Sequence, residues 1–283
     1  MLWNLYLNEN AKLFRRALYW VGLAILVGMQ LAILGVFFAM VNIPALSQTL
    51  PPEQVASFKG MLTWPSAFYA ALQLSGSSIG VGGLLTLVLV GVVVAQEYPW
   101  RTVNLVVGHG VPRTRILAAK ILSIFTALAG WMAILMAVVG VVTAFTSGWV
   151  GTELDTGSVN VLPLGVSVLR VILALAPYAA LAFCLAVATR STVAAIGVVA
   201  GFSLIVEPLF VQLLSFMGGG MSRITSYLPM MLSMTLLKAN GQAATVSAPG
   251  TMDPTAAAAV IAVYTGIFLL LAFQIFRRQD LSS

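Results

Sequence analysis

Six long, predominantly apolar runs punctuate the chain, at roughly 17–40, 77–96, 116–145, 163–188, 193–214 and 256–276. Each is about as long as a helix needs to cross a bilayer core of ~30 Å. None alternates with the period of two that a barrel strand requires, and lipid offers the backbone no hydrogen-bonding partner outside a helix or a closed barrel. The pattern therefore predicts an all-α integral membrane protein with six transmembrane helices. Ahead of the first run, residues 1–16 mix Leu2, Trp3, Leu5, Tyr6, Leu13 and Phe14 with Asn, Glu, Lys and Arg, which suits an amphipathic helix in the membrane interface.

The connections differ in character. Residues 41–73 are more polar and carry the breakers Pro44, Pro51 and Pro52. Residues 97–115 are basic, 147–162 hold Glu153 and Asp155, and 189–192 make a tight turn. The segment 215–254 contains an apolar, methionine-rich piece, 224–237, bracketed by Arg223 and Lys238 and carrying Pro229. It is too short to span, and a re-entrant helix that dips into the outer leaflet or lies on it is expected.

Composition narrows the class further. With 60% hydrophobic and 8% charged residues, and a mean hydropathy of +1.02, the chain could not cover a water-exposed surface. The net charge of +6 comes from Lys and Arg at span ends, where they set topology and touch anionic lipid; nucleic acid is not the expected partner. Lys12, Arg15, Arg16, Arg101, Arg113, Arg115, Lys120, Arg190, Arg277 and Arg278 collect on one side. Lys59, Arg223 and Lys238 lie on the other, with Arg170 inside a span. The asymmetry predicts both termini in the cytoplasm of a multi-pass protein of the plasma (inner) membrane. No cleavable signal peptide is expected, since the first apolar run is too long for one.

Several chemistries have no residues to carry them. The lone Cys184 excludes an internal disulfide and a multi-cysteine metal site, and the lone His109 cannot build a metal site or a triad. No G-x-x-x-x-G-K-[ST] phosphate loop occurs, and no catalytic set suggests itself. Charges inside the spans are too sparse for an ion-coupled carrier. Two of them, Arg170 and Glu207, fall at similar counted depths in the fourth and fifth spans, which the tight turn makes neighbours; an ion pair is expected. Gly76–Gly80 and Gly197–Gly201 are G-x-x-x-G spacings that suit close helix packing between two subunits.

The stretch from Glu97 to Lys120 resembles a motif of the type-2 ATP-binding-cassette permeases, close to E-Y-x-x-G-T-x-R-x-L-L-x-x-P-V-S-R-x-x-x-L-x-x-K. Glu97, Tyr98, Thr102, Leu105, Val111, Arg113 and Lys120 fall on it, with Arg101, Asn104, Gly110 and Pro112 departing from it. The turn Thr189-Arg190-Ser191-Thr192 and the Tyr227-Leu228-Pro229 ahead of a short apolar helix are similar to that family too. The resemblance implies a type-2 exporter fold in one permease domain, 1–283, with 97–115 as the cytoplasmic coupling segment. Glu97, Tyr98, Arg101, Thr102, Asn104, Arg113 and Arg115 would meet a separate ATPase subunit, which holds the ATP and Mg; the chain itself binds no cofactor. It also implies pairing with a second copy or a close relative, with Gly76, Gly80, Gly197 and Gly201 at the interface. The competing expectation is a membrane scaffold that recruits a cytoplasmic protein and transports nothing.

Overall fold

The computed structural model describes residues 2–96, 112–150, 161–217, 224–240 and 252–279. Every regular element among them is helical. Five helices are long and apolar enough to cross a membrane, and a sixth span appears when one bent pair is counted as a unit. The chain is a multi-pass membrane protein.

Helix α1 (Leu2–Arg15) leaves Leu2 and Trp3 exposed and buries Leu13. Arg16 is extended, and α2 (Ala17–Asn42) begins at once as the first span. The proline-marked stretch that follows is helical in pieces: α3 (Pro44–Ser47) and α4 (Pro52–Met61) each start on a proline, whose missing N–H costs nothing at a helix start.

The second span begins earlier than its hydropathy suggests. Instead of one helix from residue 77, the structure has α5 (Ser66–Gly76) and α6 (Val81–Ala95), bent by 51°. The break falls in Ser77-Ser78-Ile79-Gly80. There the chain folds so tightly that a Cβ on Gly82 would lie 1.9 Å from the carbonyl oxygen of Ser75. Serine and glycine are weak helix formers, and only glycine tolerates that backbone approach.

The third span, α7 (Arg113–Val150), has 38 residues and so is about 57 Å long, well over the bilayer core. The fourth, α8 (Val161–Thr189), is the central post of the bundle, packed by α5, α6 and the last two helices; Pro177 interrupts its hydrogen-bond ladder. Arg190 turns the chain with φ 55. The fifth span is continuous but irregular: α9 (Thr192–Gly201), a π-helical turn (Phe202–Val206), then α10 (Glu207–Met217). The short α11 (Pro229–Lys238) precedes the sixth span, α12 (Pro254–Arg278). Asp253 caps α12, accepting from Thr255 N at 3.2 Å. The core is apolar and aromatic, with Trp131, Tyr19 and Phe183 fully buried and Trp131 Nε1 donating to Tyr19 O at 3.2 Å.

Candidate functional site

The irregular features of the bundle converge on Glu207. Its side chain is 1% exposed and lies about 15 Å or more along the helix axis from either end of the fifth span. The π turn that immediately precedes it adds one residue per turn, and Pro208 behind it cannot donate to the ladder. One carboxylate oxygen accepts from the Tyr178 hydroxyl at 2.6 Å, and the other from the Met230 backbone N–H at 2.6 Å. Ser78, buried in the break of the split span, is hydrogen-bonded to Tyr178 in turn. The break, the Pro177 turn of α8, the π turn and the start of α11 thus meet at one acid.

Glu207 serves α11 as a cap supplied from another span. Pro229 occupies the first helical position and Met230 the second, whose N–H has no partner inside its own helix. The other end is held from α8. Arg170 Nη1 donates to Ala239 O at 2.8 Å and to Asn240 Oδ1 at 3.4 Å, while Asn240 Nδ2 reaches Ser167 O at 3.5 Å. Midway, the Ser233 hydroxyl donates to Ala174 O at 2.8 Å. The partners on α8 descend as those on α11 ascend, so α11 runs antiparallel along α8. A carboxylate sits at its positive end and a guanidinium at its negative end, matching the helix dipole at both.

The expected Arg170–Glu207 ion pair is therefore replaced by something else. Glu207 is level with Tyr178, eight residues and about 12 Å along α8 from Arg170. Counting inward from span ends assumes that the ends are level, and these are not. The two charges do belong together, but through the helix between them. The same geometry settles the 224–237 piece: its helix is buried in the bundle rather than resting on its surface.

At the opposite end of α8, where Arg190 turns the chain, a second polar cluster ties α1 to α7. Lys120 Nζ donates to Glu9 at 2.8 Å, Lys12 donates to the other Glu9 oxygen at 2.8 Å, and Tyr6 and Thr126 share a hydrogen bond of 2.9 Å. Arg16 reaches Gln96 at 3.4 Å, joining the start of α2 to the end of α6. Burial alone would raise the Glu9 carboxyl, but the Lys120 ammonium and the bonds from Lys12 and Lys120 outweigh it and hold it below its ordinary 4.5. The contribution of Glu9 to docking α1 is then fully present above pH 4.5 and lost as the pH falls through the depressed value. Glu9→Gln is expected to loosen α1 at neutral pH by about 1–3 kcal/mol and to abolish further loosening in acid. The check is the rate of limited proteolysis within residues 2–15 as a function of pH.

Of the other expected site residues, Glu97, Tyr98, Arg101, Thr102 and Asn104 lie outside the described residues. Arg113 and Arg115 open α7, with Arg115 exposed. Gly76 packs closely inside the chain: a Cβ there would meet Leu237 Cδ2 of α11 at 2.6 Å and Val171 of α8 at 3.1 Å. Gly80 adjoins Leu74 and Ser77 in the break, whereas Gly197 and Gly201 have open space beside them. Tyr178, Ser78, Ser233, Asn240 and the Glu9–Lys120 pair were not anticipated. A single tyrosine amid alanines after Pro177, and the only acid of α1 placed one helical turn from Tyr6 and from Leu13, were the available signals.

No curated protein matches the chain. A family described as "Protein of unknown function (DUF2705)" matches residues 71–282, a stretch that holds the split of the second span, both charges that grip α11 and α11 itself. The chain belongs to this DUF2705 family.

Proposed function

We propose that this chain is the permease subunit of a type-2 ATP-binding-cassette exporter, paired with a second copy or a close relative and driven by a separate ATPase subunit. The observation that carries the reading is the order of parts. An interfacial helix leads into six spans, counting the bent pair as one, and a short helix headed by Tyr227-Leu228-Pro229 is folded back between the last two. That order accompanies the motif running from Glu97 to Lys120. On this reading both termini and the basic cluster face the cytoplasm, in agreement with the Lys and Arg asymmetry. The segment between α6 and α7 receives the movement of the ATPase. Arg16–Gln96 and Lys120–Glu9 would share that movement among α1, α2, α6 and α7. The long, continuous α7 would carry it through the membrane.

The tagged protein, extracted from its native membrane in mild detergent, is expected to bring down a phosphate-loop ATPase in stoichiometric amount. Glu97→Ala should leave that complex and membrane insertion intact while lowering the ATPase activity of the reconstituted complex. Recovery of a stoichiometric partner with no phosphate loop would favour a scaffold and end the exporter reading.

A further inference from the structure

We propose that Glu207 is an intramembrane proton site that latches α11: the ionised carboxylate holds the first turn of the helix against α8, and protonation lets that end swing out about the Arg170 anchor. The inference stands without the exporter reading. It rests on an asymmetry between the two grips. The guanidinium of Arg170 grips Ala239 O and Asn240 Oδ1 through N–H donors alone, with no carboxylate in the contact. The carboxylate of Glu207 can gain a proton. An ionised carboxylate can accept from the Tyr178 hydroxyl and the Met230 N–H at once, and both lie at 2.6 Å. Once protonated, it loses the charge that strengthens both bonds and the attraction to the positive end of α11.

Among the described residues, nothing else near Glu207 competes for this role. From α8 it faces Tyr178, and Ser78 of the break stands behind that tyrosine. The only charged side chain of α11, Lys238, lies at the far end of the helix. The tyrosine of α12, Tyr264, donates to Tyr227 O at 3.2 Å. On α5, Tyr69 lies seven residues before Gly76, and α6 and the rest of α10 carry no titratable group. The proton would come from water and go back to it, with Tyr178 and Ser78 forming a hydroxyl chain between the acid and the break of the second span. Release of the first turn of α11 uncovers these three side chains, so the latch also controls whether the polar groups at mid-depth meet water.

Hydrogen–deuterium exchange of the full-length protein in nanodiscs of uncharged lipid tests this, with rates corrected for the intrinsic effect of pH. In the wild type, amides from Met230 to Ser233 are expected to exchange about tenfold faster at pH 5 than at pH 8, with α12 unchanged. Glu207→Gln, which mimics the protonated acid, should exchange fast at both. Tyr178→Phe removes a donor to the ionised form, so its release should occur at higher pH than in the wild type. The proposal is overturned if α11 in Glu207→Gln is as protected as in the wild type, if the wild-type pH response persists in that variant, or if protection is lost throughout α8, α10 and α12 together. An unshifted release pH in Tyr178→Phe overturns it equally.

Discussion

Exchanging the two membrane charges, Arg170→Glu with Glu207→Arg, is expected to give a less stable protein than either single alanine variant. Glu207→Ala leaves the Tyr178 hydroxyl and the Met230 N–H buried without their acceptor, a loss of about 2–4 kcal/mol. Arg170→Ala frees Ala239 O and Asn240 Oδ1 at the other end of α11, with a similar or smaller cost of about 1–3 kcal/mol. The double exchange inflicts both losses and then reverses the electrostatics. It sets a cation at the positive end of α11 and an anion at the negative end, each unfavourable by roughly 0.3–1 kcal/mol where each was favourable before. It also buries a guanidinium among donors that it cannot accept from. The temperature at which half the protein leaves the monodisperse peak in detergent should rank wild type first, then the single variants, then the exchange. If the exchange recovers stability over the singles, the two charges pair directly and the account of α11 given above is wrong.

Gly82→Ala is expected to be among the most damaging single-methyl additions in the chain. The new Cβ would stand 1.9 Å from Ser75 O, a backbone atom that can move only if the break between α5 and α6 opens. Opening it displaces α5 from α8 and Ser78 from Tyr178, so a loss of about 3 kcal/mol or failure to accumulate is expected. Gly76→Ala meets the tip of Leu237 and the side chain of Val171, which can yield in part, and should cost about 1–2 kcal/mol. Gly197→Ala faces open space and should stay within about 0.5 kcal/mol of wild type in detergent. Expression yield and thermal stability of the three variants give the order directly. A Gly82→Ala protein as stable as wild type would mean that the split of the second span is not built as described.

The spans were legible because lipid imposes one requirement on sequence, a sustained apolar run, and the runs of α2, α7, α8, α9–α10 and α12 meet it. Helix α5 escaped notice because Trp64, Pro65, Ser66, Tyr69, Gln73 and Ser75 dilute its hydropathy. It is enclosed by α7, α8 and α11, so protein rather than lipid is the solvent for much of it. The short helix α11 was legible in outline from its apolar run and from Pro229, yet its direction was not, since that depends on which groups of α8 it meets. The relation of Arg170 to Glu207 failed for the same reason. Sequence counting gives distance along a helix, and the relative height of two helices is a property of their packing. Glu9 and Lys120 lie 111 positions apart, with nothing local to announce that an acid of α1 would find a lysine near the start of the third span.

The ten residues of α11 reach about 15 Å, half the depth of the hydrocarbon core. Such a segment cannot hold itself in lipid during synthesis, and the groove that receives it is walled partly by α12, which leaves the ribosome after it. Docking of α11 is therefore complete only when the last span is in place. It becomes a late event in biogenesis, and a protein caught before it would carry every span correctly inserted yet leave a carboxylate uncovered in its midst. Quality-control proteases that sample membrane proteins for unsatisfied polar groups would find that intermediate, which makes maturation of this chain sensitive to lesions at Ala257 and Ile261, the α12 side chains that pack on Leu232 and Leu236.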